Sequence, residues 1–212
     1  MKIHINDLPH DFKDATIVAI DTETMGLNIF KDKLCTVQLN IKFNEKQEIH
    51  IVHFPKKEYN LAINLKKFLR NKKVLKIIHF ARFDMLSIYL YLNVMLDNVV
   101  CTKMLSKIVR SYSDRHSLVE LCRELLNINL NKQSQSSDWG QLILSEQQFA
   151  YAANDVKYLF DIYEQLKNMA IREKRIKIAE SAFKTLQSLT YIESQQYHPL
   201  DILSFDLKSH KY

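Results

Sequence analysis

An apolar run that stops at acids constrains this chain more than any other feature. Ile17-Val18-Ala19-Ile20 is unbroken by polar residues, the pattern of a fully buried strand over 17–21. It leads directly into Asp21-Thr22-Glu23-Thr24. In extended backbone alternate side chains share a face, so Asp21 and Glu23 point the same way. Gly26 follows, one of only two glycines in the chain, where a tight turn or close backbone approach would need it.

Two later blocks carry the same kind of chemistry. His79-Phe80-Ala81-Arg82-Phe83-Asp84 begins a helix just after a short apolar strand at 74–78. Tyr151-Ala152-Ala153-Asn154-Asp155 lies on a late helix. Ser145 and Gln148 form a capping box that starts that helix, with Leu144 and Phe149 in the positions of a hydrophobic staple. Tyr151 and Asp155 are four apart and therefore share a helix face. Each block has an ordinary reading alone: Asp21 as a turn former, Asp84 as a partner of the helix dipole, Tyr151 and Asp155 as a hydrogen-bonded pair. If the fold brings all four acids together, they repel one another unless cations intervene. Hard divalent ions with oxygen ligands are the natural remedy, and a pair of them is suited to cleaving phosphodiesters.

The rest of the pattern predicts a mixed α/β domain. Cys35, Val37, Leu39 and Ile41 alternate with Thr36, Gln38 and Asn40, the period of a half-buried strand. A third strand is expected over 48–53, so the early strands form an antiparallel meander. A helix is expected over 58–71, with Leu61, Leu65, Phe68 and Leu69 on one stripe. A strand over 98–101 precedes a mostly helical remainder, in which Ser117 and Glu120 suggest another capping box.

With 212 residues, 47% of them hydrophobic and 25% charged, the chain suits one soluble domain over 1–212. No linker or internal repeat marks a second domain. No apolar run is long enough to span a bilayer, and no leader pattern is present. Cys35, Cys101 and Cys122 are odd in number and lack a C-x-x-C spacing, which fits a reducing cytoplasm better than disulfides or zinc. A formal charge of +6 suits a polyanionic partner. The basic runs Arg70-Asn71-Lys72-Lys73 and Arg172-Glu173-Lys174-Arg175 read first as solvated faces.

The order and flanks of the acid blocks resemble the DEDDy 3′–5′ exonucleases, and within them the ribonuclease D branch. Ile20-Asp21-Thr22-Glu23-Thr24-Met25-Gly26-Leu27 is similar to the family's first motif. The His79 to Asp84 block resembles its His-x-x-x-x-Asp element. Lys132-Gln133-Ser134-Gln135-Ser136-Ser137-Asp138-Trp139, followed by Leu144-Ser145-Glu146 and Tyr151 to Val156, resembles its later stretch. The similarity runs from about residue 15 to about residue 170. Phe80 stands where many relatives carry Asn, and Met25 replaces a commoner Thr or Gly. The helical RNA-binding domains of full-length ribonuclease D have no counterpart, so an exonuclease-only form with a helical extension and tail over 173–212 is expected.

The resemblance implies a ribonuclease H-like fold, a mixed five-stranded sheet flanked by helices. It implies a two-metal enzyme releasing nucleoside 5′-monophosphates from 3′ ends, in the processing or turnover of tRNA or other stable RNA. Asp21, Glu23, Asp84 and Asp155 would hold two divalent ions, Mg²⁺ or Mn²⁺, and Tyr151 would complete the catalytic set by orienting the attacking water. Thr24, Met25, Leu27, His79 and Phe83 would contact substrate, with core packing the plainer role for Phe83. The implied partner is the 3′ end of single-stranded RNA, with no membrane and no obligate protein partner. Two alternatives stay open: a 3′–5′ DNA exonuclease of the same family, and a non-catalytic nucleic-acid-binding scaffold.

Overall fold

The computed structural model describes residues 1–43, 46–130 and 137–203. Six strands form one mixed sheet: β1 (Lys2–Ile5), β2 (Ala15–Thr24), β3 (Leu34–Phe43), β4 (Lys46–His53), β5 (Leu75–Ile78) and β6 (Val99–Cys101). Their order is β1-β4-β3-β2-β5-β6. The expected meander is present, because β2, β3 and β4 pair antiparallel in sequence. The crossovers β2-to-β5 and β5-to-β6 are parallel. The sheet thus has one strand more than expected. The extra one is β1, mostly exposed and lacking an apolar run, which pairs parallel with the edge of β4.

Nine helices are described: α1 (Ile63–Leu69), α2 (Ala81–Leu92), α3 (Thr102–Val109), α4 (Leu118–Leu126), α5 (Glu146–Lys157), α6 (Leu159–Arg172), α7 (Ile176–Lys184), α8 (Leu186–Ser194) and α9 (Pro199–Leu203). The helix expected over 58–71 breaks at Ala62, leaving a 3-10 turn at Tyr59–Leu61 before α1. Leu65, Phe68 and Leu69 face the core, but Leu61 falls off the stripe and is exposed. Asn98 adopts a left-handed conformation, so β6 starts one residue later than expected. Ser117 caps α4 through the Glu120 N–H. The reciprocal half of that box does not form, because Arg123 takes the Glu120 carboxylate at 2.5 Å.

The alternation of β2 sorts its residues between two layers. Val18 and Ile20 join Ala81, Met85 and Ile88 of α2 in the main core. Ala19 faces the other way, with Val156 of α5 and Leu159 of α6. α5 lies across β2, β3 and β4. It covers the polar side of β3, so that strand is buried on both faces rather than half-buried. Thr36, Gln38 and Asn40 are 0%, 0% and 2% exposed. Asn40 Nδ2 donates to the carbonyls of Val156 and Lys157 at 3.4 Å, which ties the sheet to the end of α5. The C-terminal helices pack on the same body. Leu186 of α8 enters the main core, and Glu193 pairs with Arg82 at the start of α2.

Lys76 fastens the two short parallel strands. Its ammonium is buried and donates to the carbonyls of Asn71, Val74 and Asp97 at 2.8, 3.1 and 2.9 Å. Burial holds its pKa down at about 8. The turns leading into β5 and β6 are thereby joined through one side chain. Lys76→Met keeps the stem but strands three carbonyls, and should lower unfolding stability by about 2–3 kcal/mol. Chemical denaturation with an unchanged m-value would show this. A variant as stable as the parent would mean that water replaces the ammonium at no cost.

Candidate active site

The site forms where β2, β5 and β6 end. In an open sheet with parallel strands, crevices form beyond the carboxyl ends of those strands. Asp21 and Glu23 leave β2 on the face that meets α5. A shift of register between Glu23 and Thr24 then releases the strand into its turn. There Thr24 Oγ1 donates to the Gly26 carbonyl at 2.5 Å. The Asp32 carboxylate fills the space beside Gly26, at 2.5 Å from where a Cβ would stand, so no larger residue fits without a shift.

α5 brings the next two groups. Its capping box at Ser145 and Gln148 forms in both directions, and Leu144 and Phe149 pack in one cluster, as expected. Ala152 and Ala153 are buried against the sheet, and their small size lets the helix approach. Asp155 therefore meets Asp21 and Glu23. One carboxylate oxygen from each of the three lies within 4.8 Å of the others. Tyr151, one turn earlier on the same helix face, lines the cleft beside Asp155, and the two groups perturb each other's ionisation. Trp139 is buried with its ring 6.1 Å from that of Tyr151, packing the preceding loop against the site. Residues 132–136 of the motif before Trp139 lie outside the described residues.

Asp84 arrives differently. It sits in the first turn of α2, on the opposite side of β2, and is 3% exposed. Thr22, which points away from Asp21 and Glu23, donates to its Oδ1 at 2.8 Å. The structure thus gathers three of the four acids into one ligand cluster and keeps the fourth behind the strand, close enough to interact through charge.

The electrostatics match that arrangement. Burial, then the charges of Asp84, Asp155 and Glu23, push the Asp21 carboxyl well above the usual range. Burial and the neighbouring acids raise Glu23 to about 9. Asp84 is raised to about 7 chiefly by burial, against the opposing Thr22 hydrogen bond. Asp155 rises to about 7, also by burial, although the Tyr151 hydroxyl favours its charged form. The Tyr151 hydroxyl is itself pushed up by burial and by these acids, so it keeps its proton and acts as a donor.

A cleft of about 370 Å³ opens over Asp21, Glu23, Tyr151 and Asp155. Of the expected substrate contacts, Leu27 and His79 line it, and Leu27 is 92% exposed. His79 Nδ1 lies 2.9 Å from the Thr102 hydroxyl. Phe83 instead lines a neighbouring hollow of about 210 Å³ that shares Leu27 and Phe80 with the cleft. Thr24 is turned into its own loop, and Met25 packs toward Gly140. The cleft also exposes groups that the motifs did not single out: Lys103 at the start of α3, Asn154, and the first residues of α4. The signal for Lys103 was positional, since it follows the end of a parallel strand next to β5. A larger cleft, about 520 Å³, lies behind β6 against α6, α7 and α8 and contains none of the four acids.

A family model described as 3′-5′ exonuclease matches residues 3–171. Ribonuclease D of Bartonella henselae is 30% identical over 166 residues, which are 77% of this chain and 39% of that protein. The chain spans about two-fifths of the length of such curated relatives. Among solved structures, Brucella melitensis NrnC is 37% identical with a TM-score of 0.85, over 99% of this chain and 98% of that one. NrnC is also known bound to pGG and with bound Mg²⁺. Escherichia coli RNase D shares the fold, at 20% identity and a TM-score of 0.70 over 82% of this chain and 45% of that one. With a family match over most of its sequence, the chain belongs to the 3′–5′ exonuclease family.

Proposed function

We propose that this chain removes nucleotides one at a time from the 3′ end of single-stranded RNA, releasing nucleoside 5′-monophosphates with the help of two divalent cations. The cluster of Asp21, Glu23 and Asp155, with Tyr151 beside it in the same cleft, is the observation that carries this reading. The donor set fits such ions. It is all carboxylate, and three of its oxygens lie within 4.8 Å of one another. Its acids are held well above their usual pKa by burial and mutual repulsion, a cost that a bound cation removes. Asp21, Glu23 and Asp155 would ligate directly, with Asp84 adding charge from behind β2. Bound divalent ions supply Lewis acidity at the scissile phosphate and charge neutralisation for the leaving oxygen. Magnesium in the NrnC structure and ribonuclease D among the relatives support both the ion and the RNA substrate.

The protein's own groups set the geometry. Tyr151 stands beside Asp155 in the cleft, where its hydroxyl would orient the attacking water. Leu27, exposed at the mouth of the cleft, offers an apolar surface to the terminal nucleotide. His79 holds the wall beside it through Thr102. We read the described residues as one exonuclease unit, with α7 to α9 as a helical extension that meets α2 through α8. Three buried free thiols accord with a cytoplasmic setting.

End-labelled single-stranded RNA should be shortened from its 3′ end with Mg²⁺ or Mn²⁺, and cutting should stop with a chelator. Asp155→Asn should reduce the rate by at least about a thousandfold, on the order of 4 kcal/mol of barrier. Undiminished cutting in excess chelator would sink the metal reading. Preferential digestion of DNA over RNA under the same conditions would shift it to the deoxy substrate.

The raised acids also predict how stability varies with pH. An acid whose folded pKa exceeds its unfolded value binds its proton more tightly when folded, so its contribution is present at low pH and lost as pH rises through the folded value. For Asp84, Asp155 and Glu23 that window runs from about 4, the unperturbed value, up to about 7 and 9. Without metal, Tm should fall between pH 5 and 9, and Mg²⁺ at pH 8 should restore it by mass action. A metal-free Tm that climbs over this range would show that the acids are not crowded.

Tyr151→Phe keeps the ring against Trp139 and removes the hydroxyl. The single-turnover rate should drop about a hundredfold, roughly 2.7 kcal/mol, with RNA affinity nearly unchanged. An unaltered rate accompanied by a small loss of Tm would reduce Tyr151 to a packing residue.

A further inference from the structure

The acid cleft must admit a polyanion, yet its described walls carry a single Lys or Arg side chain, Lys103. Among the described residues no carboxylate forms an ion pair with the Lys103 ammonium. It rides over the ring of Phe80, 3.9 Å from the centroid. Phe80 is itself unusually placed. It occupies the junction between β5 and α2 with φ 61° and ψ 45°, a left-handed conformation that costs a bulky residue energy. The residue nonetheless stays 45% exposed, on the ridge shared by the acid cleft and the neighbouring hollow. A core role does not explain an aromatic ring that is both strained and exposed. The next cation candidate on this wall, His79, is held neutral at ordinary pH by burial, which lowers its pKa to about 3. The same wall continues into the N-terminal turn of α4, at Ser117, Leu118 and Val119, where the helix dipole also favours negative charge.

We infer that Lys103 is a substrate-binding residue that engages a phosphate flanking the scissile one, and that Phe80 positions it by a cation–π contact. The inference rests on the proposed action on single-stranded RNA and adds a specificity element to that site. The chemistry is that of a compact, hydrated ammonium meeting a phosphate oxygen, with the ring restricting where the flexible lysine stem can go. At the other wall the cation-loaded acids would hold the scissile phosphate, so the two walls would grip neighbouring phosphates. Lys103 therefore fixes which way along the cleft the strand lies.

Binding and turnover of a labelled single-stranded oligonucleotide test this together. Lys103→Met should weaken binding about tenfold, raise KM more than it lowers kcat, and reduce the slope of log affinity against log salt by about one. Lys103→Arg should recover most of the affinity. Replacing the flanking phosphate with an uncharged methylphosphonate should raise KM about tenfold for the parent and add little for Lys103→Met. Independent, multiplying effects of the two changes would overturn the inference, as would an unchanged KM in Lys103→Met. Phe80→Asn suits the left-handed backbone and should raise Tm while raising KM several-fold, whereas Phe80→Tyr should preserve both. An unchanged KM in Phe80→Asn would remove Phe80 from the assembly. If the parent binds the strand but does not cut it, the proposed function fails while the binding arm still decides Lys103. If the parent does not bind at all, both fail.

Discussion

Everything around the site follows from the cost of placing carboxylates at the end of a buried strand. Asp21 and Glu23 lie near the end of an interior strand in which the preceding residues, Ala19 and Ile20, are fully buried. Water cannot screen these acids well, and their own charges push each other toward the protonated form. Such a cluster persists only if the surrounding packing is rigid enough to hold it. α5 supplies that rigidity with a two-way capping box, small buried alanines and a polar tie from Asn40. On the other side of β2, Thr22 holds Asp84 by a buried hydrogen bond. The strain this creates in the metal-free protein is the same quantity that a divalent cation relieves, which couples stability to the chemistry.

Much of this was legible in the sequence because the signals were local. The apolar run over 17–20, the box at Ser145 and Gln148, and the four-residue spacing of Tyr151 and Asp155 are each set within a few residues of chain. What was not legible depends on neighbours distant in sequence. Thr36, Gln38 and Asn40 have the alternation of a solvated face, yet α5 covers them from more than a hundred residues away. β1 carries too little apolar character to declare itself, and exists because β4 offers an unpaired edge and His50 a partner ring for His4. The split of the helix at Ala62 comes from backbone angles that no periodicity encodes. Asp84 reaches the other acids from α2, and that approach depends on which side of β2 the helix packs against.

Lys103 illustrates a further limit of motif reading. One lysine among thirty basic residues carries no signal by itself. Its meaning comes from topology: β2, β5 and β6 run parallel, so the last residues of β2, at 21–23, and those just past β5 and β6, at 79–80 and 102–103, collect at one end of the strands. The buried ammonium of Lys76 then fixes β5 and β6 relative to each other from the opposite ends of those strands. Acids come from one strand, an aromatic ring and a histidine from the next, and a cation from the third.

The alternation of β2 makes this arrangement all-or-none. Odd-numbered residues from Ala19 to Glu23 face α5, and even-numbered ones from Val18 to Thr22 face α2. A slip of one residue would turn both acids into the main core and expose Val18 and Ile20 to the cleft. Pairing with β3, in which Asp21 stands opposite Gln38 and Glu23 opposite Thr36, opposes that slip over the whole strand. The register shift between Glu23 and Thr24, at the far end of the strand from the one between Ala15 and Ile17, lets the chain leave the sheet only after the second acid is in place. The core that makes the acids costly is therefore also what specifies their position, because the pattern that buries Val18 and Ile20 on one side delivers Asp21 and Glu23 to the other.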